Sequence, residues 1–189
     1  MDLPKTTALD LALPDPLPDD VATLFEKCQA KLGLIPNVLV AYAFNPEKLA
    51  AFGQMYNDLM LGPSGLSKLE REMIAVVVSA QNRCWYCQVA HGSAVRVLSS
   101  KPELGEALVM NYRVADLTPR ERAILDFSRK MTVESAAIEE ADRAALRDAG
   151  LSDPDIWDVA AVAGFFNMSN RMASAVGMEP NPDYHAMGR

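Results

Sequence analysis

The segment EMIAVVVSAQNRCWYCQVAHGSAVR, Glu72 to Arg96, sets one carboxylate, two cysteines and a histidine in a long apolar run. An unpaired acid or thiolate in an apolar site is costly, so a helical core has no need of this set and its presence asks for chemistry. Cys84, Cys87 and His91 follow the spacing C-x-x-C-x-x-x-H. On a helix these three side chains fall within about 60° of one another, so they can meet one substrate together. A thiol near a helix N-terminus faces unsatisfied N–H groups and the positive end of the dipole, both of which favour thiolate. An unperturbed cysteine is only a few per cent thiolate at neutral pH, and a shift of one or two units multiplies the reactive fraction about tenfold or more.

A proton relay fits the same spacing. His91, one turn after Cys87, can hydrogen-bond that thiol or take up its proton. Glu72 can orient the imidazole if the turn Gln81-Asn82-Arg83 folds its helix against the next. The second cysteine supplies the other half of a two-electron cycle. Thiolate attack on the O–O bond of a peroxide leaves a sulfenic acid, which condenses with the neighbouring thiol to a disulfide. An external dithiol must then reset the pair by exchange. The helix dipole favours Cys84 as nucleophile, whereas proximity to His91 favours Cys87.

The elements that must position these residues read as helices throughout. Ser67 and Glu70 have capping-box spacing and open SKLEREMIAVVVSAQ as a helix that is apolar nearly all round, with Glu72 on the edge of its main apolar face and pointing into protein. CWYCQVAHGSAVRVL continues as the next helix, with Ala94, Val95 and Leu98 on its inner face. PNVLVAYAFNPEKLAAFGQMYNDLML reads as two helices broken at Asn45-Pro46, and no strand with period-two alternation is found. The fold class is all-α. Residues 1–18, with Pro4, Pro14, Pro16 and Pro18, read as an extended N-terminal arm; residues 19–178 form one helical domain with its redox core at about 66–99; and residues 179–189 read as a second extended arm. The core Leu-Ser/Thr-x-x-Glu-Arg-x-x-Ile recurs in LSKLEREMI (66–74) and LTPRERAIL (117–125). It reads either as two independent helix starts or as a repeated helical hairpin in which Ala123 and Ser135 stand where the first copy has Glu72 and Cys84.

Glu72, Cys84, Cys87 and His91 reproduce the pattern E-x11-C-x2-C-x3-H. With GLSKLEREMIAVVVSAQNRCWYC around it, LTPRERAILDFSRKMT downstream and FFNMSNRMASAVG near the end, the chain resembles the alkyl hydroperoxidase D-like, peroxidase-related branch of the carboxymuconolactone decarboxylase superfamily from about residue 20 to 178. The resemblance implies an all-helical homo-oligomer built on trimers or hexamers, with thiol peroxidase or general disulfide redox activity. It also implies that Cys87 attacks the peroxide, Cys84 resolves, and His91 with Glu72 relay the proton. In one respect the chain departs from the pattern: some members carry a histidine just before the second cysteine, where this chain has Tyr86.

Composition narrows the partners. The net charge is -7, with lysines and arginines scattered, so no footprint for nucleic acid or acidic membranes is present. No secretory leader or membrane span is read, and the chain is expected to be soluble and cytoplasmic. Three cysteines are too few for a disulfide framework, and Cys28 reads as an ordinary helix-face residue. The expected partners are a small hydroperoxide, a thiol-disulfide reductant protein and further copies of the chain, with no bound cofactor. Three alternatives stand beside this reading: a zinc site on the same residues, a lactone decarboxylase that does not rely on the cysteine pair, and a non-catalytic helical assembly module. Asn167, Asn170 and Arg171 line either a pocket or an interface. Trp85 and Tyr86 cap the site or merely pack, and His185 is a solvated tail residue.

Overall fold

The structure, a computed structural model, describes residues 4–189, so residues 1–3 of the N-terminal arm lie outside the described residues. Among the described residues there are nine α-helices and no strand. They run α1 (Asp19–Leu32), α2 (Asn37–Tyr42), α3 (Pro46–Tyr56), α4 (Lys68–Gln81), α5 (Trp85–Ser99), α6 (Pro102–Asn111), α7 (Pro119–Val133), α8 (Glu140–Asp148) and α9 (Asp153–Ala175).

Local chemistry sets the boundaries. Gly33 ends α1 at φ +76°, a conformation that favours glycine. Asn45 Oδ1 accepts the Lys48 N–H at 2.9 Å, and Pro46 begins α3 where no N–H is needed. Ser67 and Glu70 form the expected capping box, and Thr118 and Glu121 form a second one at the start of α7. The two echoed segments therefore begin two helices that lie against each other, joined where Arg120 Nε donates to Glu70 Oε1 at 2.8 Å. Past these helices the likeness ends. α5 starts three residues after α4, whereas α7 leads through a 3-10 turn, Ser135–Ala137, into the short α8.

The core forms around α4, which packs against α5, α6, α7 and α9 and buries every residue from Glu70 to Ser79. Met73, Ile74, Val76 and Val77 meet Leu108, Leu125, Val162, Phe165 and Phe166 in one continuous cluster. The N-terminal arm and the chain after α9 are tied together: the Ala8 N–H donates to the Val176 carbonyl at 2.8 Å and the Glu179 N–H to the Thr6 carbonyl at 3.1 Å. Residues 179–189 are not extended throughout. They turn through a 3-10 segment, Pro182–His185, because Arg96, 6% exposed, donates to the carbonyls of Tyr184 at 2.6 Å and Met187 at 2.9 Å. No helix among the described residues is long and apolar enough to cross a membrane.

Arg71 is a buried cation with no carboxylate partner in its hydrogen-bond set. Its guanidinium instead donates to the carbonyls of Leu66 at 3.2 and 3.0 Å, Leu59 at 3.2 Å and Gly62 at 2.9 Å, which clamps the π-helical turn Asn57–Leu61 and the loop before α4. Arg71→Leu leaves those carbonyls unpaired and is expected to cost about 2–3 kcal/mol. In a thermal melt that corresponds to a fall of roughly 5–10 °C; a variant melting with the wild type would show the clamp to be unimportant.

Candidate active site

The turn between α4 and α5 builds the site. Arg83 takes φ +54°, a left-handed conformation uncommon outside glycine, asparagine and aspartate, and this reverses the chain so that the Cys84 N–H reaches the Ser79 carbonyl at 3.0 Å. Cys84 then occupies the N-cap of α5, a place usually held by serine, threonine, aspartate or asparagine. Its sulfur accepts the Cys87 N–H at 3.3 Å. A thiol sulfur is a weak acceptor and a thiolate a strong one, so this capping geometry itself favours charge on Cys84.

Both cysteines are 1% exposed, and their sulfurs stand 2.6 Å apart as free thiols. Their electrostatics split in opposite directions. The Cys84 thiol is pulled down to about 7 by the hydrogen bond from Cys87, against burial, with the Cys87 N–H, the His91 charge and the Ser174 hydroxyl adding to the effect. Cys87 is pushed up by its bond to Cys84, by burial and by the Cys84 charge, and only Asn170 and Ser79 oppose the rise. The group with the depressed value loses its proton first as pH rises. Alkylation of the reduced protein is therefore expected to increase about tenfold per unit below pH 7 and level off above it, with the first label on Cys84 by peptide mapping. A profile still climbing through pH 9 would contradict that split.

His91 and Glu72 are brought together as the spacing suggested: Nδ1 of His91 lies 2.7 Å from Oε2 of Glu72, with the two side chains only 13% and 11% exposed. A carboxylate at Nδ1 holds the proton there and leaves Nε2 bare as the acceptor. The ring is held edge-on against Phe166, centroids 4.6 Å apart. No group of three or more histidine, cysteine or acidic side chains among the described residues is placed to hold a metal ion.

Tyr86 does not face the sulfurs. It is 5% exposed, and its hydroxyl accepts the Val38 N–H at 3.2 Å and hydrogen-bonds Tyr184. Burial, with Glu72 nearby, pushes the Tyr184 phenol up to about 12 and raises Tyr56 further, so both stay neutral hydroxyls near the Glu72 carboxylate. Trp85, 56% exposed, covers the entrance with its ring 5.6 Å from that of His185. Beneath the cysteines, Asn170 is fully buried, while Asn167 and the exposed Arg171 continue its network outward. Sequence reasoning missed Tyr56, Ser79, Ser174 and the approach of Tyr184, none of which carries a local signal. Two surface depressions of about 790 and 460 Å³, on the side of α7 and α8, include none of Glu72, Cys84, Cys87 or His91. The chemistry is concentrated at the dithiol, and those hollows do not open onto it.

A bundle around one buried helix, with a dithiol at the entrance of the next and a carboxylate–imidazole pair beside it, defines an all-helical protein of the alkylhydroperoxidase-core type. The chain belongs to the carboxymuconolactone decarboxylase family, whose sequence profile matches residues 46–130. It is similar over 100% of both chains to an uncharacterized peroxidase-related protein from Silicibacter sp. TM1040, at 66% identity and a TM-score of 0.96. A second crystal structure, an alkylhydroperoxidase AhpD core described as an uncharacterized peroxidase-related protein from Ralstonia eutropha JMP134, is 42% identical with a TM-score of 0.94, covering 99% of this chain and 98% of that one. The debrominase Bmp8 in its apo form shares the fold alone, at 19% identity and a TM-score of 0.75 over 89% and 90% of the chains. No curated protein sequence matches.

Proposed function

We propose that the protein is a thiol-dependent peroxidase that reduces a small hydroperoxide through the Cys84–Cys87 pair. One observation carries the reading: two buried sulfurs 2.6 Å apart share a helix with a histidine that is hydrogen-bonded to a carboxylate at 2.7 Å. The Cys84 thiolate attacks the terminal peroxide oxygen and the O–O bond breaks; the leaving alkoxide takes a proton by way of His91, giving Cys84 sulfenic acid and an alcohol. The Cys87 thiol then attacks the sulfenic sulfur, forming the disulfide and releasing water. An external dithiol returns two electrons and two protons. The family resemblance gives the first attack to Cys87; the capping geometry supports Cys84.

Turning Nδ1 of His91 toward Glu72 also leaves the imidazole less available as a third metal ligand, which disfavours the zinc reading. Exposed Met110, Val114 and Trp157, at 83%, 73% and 76%, support association of copies of the chain.

The test is mass spectrometry of metal-free, reduced protein given one equivalent of an organic hydroperoxide, with zinc assayed in the protein as purified. Rapid loss of two hydrogens mapped to a Cys84–Cys87 disulfide is the expected result. Slow oxidation together with stoichiometric zinc shielding both thiols would overturn it.

A further inference from the structure

The hydrogen bonds beneath the dithiol run in one direction. Asn170, 0% exposed on α9, donates through Nδ2 to Ser79 Oγ at 2.9 Å, and its Oδ1 accepts from Asn82 Nδ2 at 2.9 Å. Asn82 also donates to Asn167 Oδ1 at 3.1 Å, and Arg171 caps that oxygen at 2.8 Å. The carboxamide N–H of Asn170 not given to Ser79 faces the Cys87 sulfur. Ser79 has a single hydroxyl proton, which lies on the Ala75 carbonyl at 2.6 Å. Rotation of that hydroxyl would turn the proton onto Cys87 at the cost of one back-bond to the helix.

This arrangement suits charge on Cys87 and no other nearby atom. Cys87 is 1% exposed, and Arg171 reaches only as far as Asn167. A negative charge arising on the Cys87 sulfur therefore meets two neutral donors and little water. Donation into Asn170 Oδ1 polarises the carboxamide and strengthens its N–H as a donor.

We infer that Asn170, with Ser79 as a second donor that swings into place, stabilises the thiolate that develops on Cys87 during each redox cycle. The inference rests on the dithiol–disulfide reading of the site but not on which sulfur meets the peroxide first. When Cys87 resolves a sulfenic acid its thiol gives up a proton as the S–S bond forms. When an external dithiol attacks the disulfide at Cys84, next to the exposed Trp85, the S–S bond breaks and its electron pair leaves on Cys87. In both steps Cys87 carries charge in the same nest of donors.

The experiment isolates the second step. The full chain is oxidised with diamide, so that no peroxidase activity is required, and reduction by dithiothreitol is followed by thiol counting across pH 6–9. Asn170→Ala is expected to slow reduction about tenfold and to shift the equilibrium with dithiothreitol toward the disulfide by a similar factor, since a hydrogen bond to a charged group is lost. Ser79→Ala is expected to slow it about threefold, and Asn82→Ala, which leaves both donors in place, less than that. Wild-type rate and equilibrium in an Asn170→Ala protein of unchanged circular dichroism would overturn the proposal. If that variant does not fold, Ser79→Ala decides, and an unchanged rate in it overturns the proposal equally. A wild-type protein that ignores hydroperoxides yet shows these effects loses the peroxidase reading and keeps this one.

Discussion

Cys84→Ser is expected to abolish reaction with hydroperoxide, by about a thousandfold or more, because the remaining Cys87 is a buried thiol held protonated and a serine hydroxyl at the N-cap has no thiolate form. Cys87→Ser is expected to behave differently. Its Cys84 keeps the His91 charge and the residue-87 N–H that favour the thiolate, so it should consume about one equivalent of peroxide and stop. The product is a sulfenic acid on Cys84, which dimedone traps and excess peroxide drives on to sulfinic acid. Neither variant turns over with dithiothreitol as reductant. Single-turnover peroxide loss measured on the two variants, with the adduct located by mass spectrometry, decides the order of attack. The reverse pattern, a dimedone adduct on Cys87 in the Cys84→Ser protein and none in the other, would give the first attack to Cys87 and sink the capping argument.

The second large effect belongs to the carboxylate. Glu72→Gln is expected to lower the rate of peroxide oxidation about a hundredfold while the fold persists. The glutamine fits the same space, but it has no charge to steady an imidazolium and offers an NH2 as readily as an oxygen to Nδ1, so Nε2 is no longer fixed as the acceptor. His91→Ala removes the same function by its other end. Groups that act as one unit are not additive, so the double variant should fall little below either single one. Stopped-flow peroxide consumption on the four proteins, beside thermal melts, provides the check. Wild-type rates in Glu72→Gln would remove the carboxylate from the mechanism and leave it as a buried partner of the histidine ring.

What the sequence displays well is whatever neighbours along the chain decide. Both capping boxes, the break at Asn45-Pro46 and the turn at Arg83 are settled within four residues, and each is visible as a spacing of residue types. Glu72 and His91 were legible for a similar reason: a short turn forces α4 and α5 into an antiparallel pair, so a carboxylate on the inner edge of one meets a histidine on the inner face of the other. The rest of the site comes from contacts between distant segments. Asn170 reaches Ser79 across 91 positions, and Arg96 grips Tyr184 across 88. No periodicity marks such pairs, because which polar side chain ends up opposite another depends on how whole helices dock. Asn170 was visible as a polar residue on an apolar helix, but the sequence offered no way to tell a buried donor from a solvated face. The tail read as a free arm because its anchor, Arg96, looked like one more surface cation on the outer side of α5.

Trp85 has a use beyond covering the entrance. Its indole sits next to Cys84 in the chain and against the ring of His185, and the only other tryptophan, Trp157, belongs to α9 beside Met131 and Ile138. Thiolates and disulfides quench indole emission to different degrees. A Trp157→Phe protein would thus report the state of its own sulfurs as light, in milliseconds and without a dye.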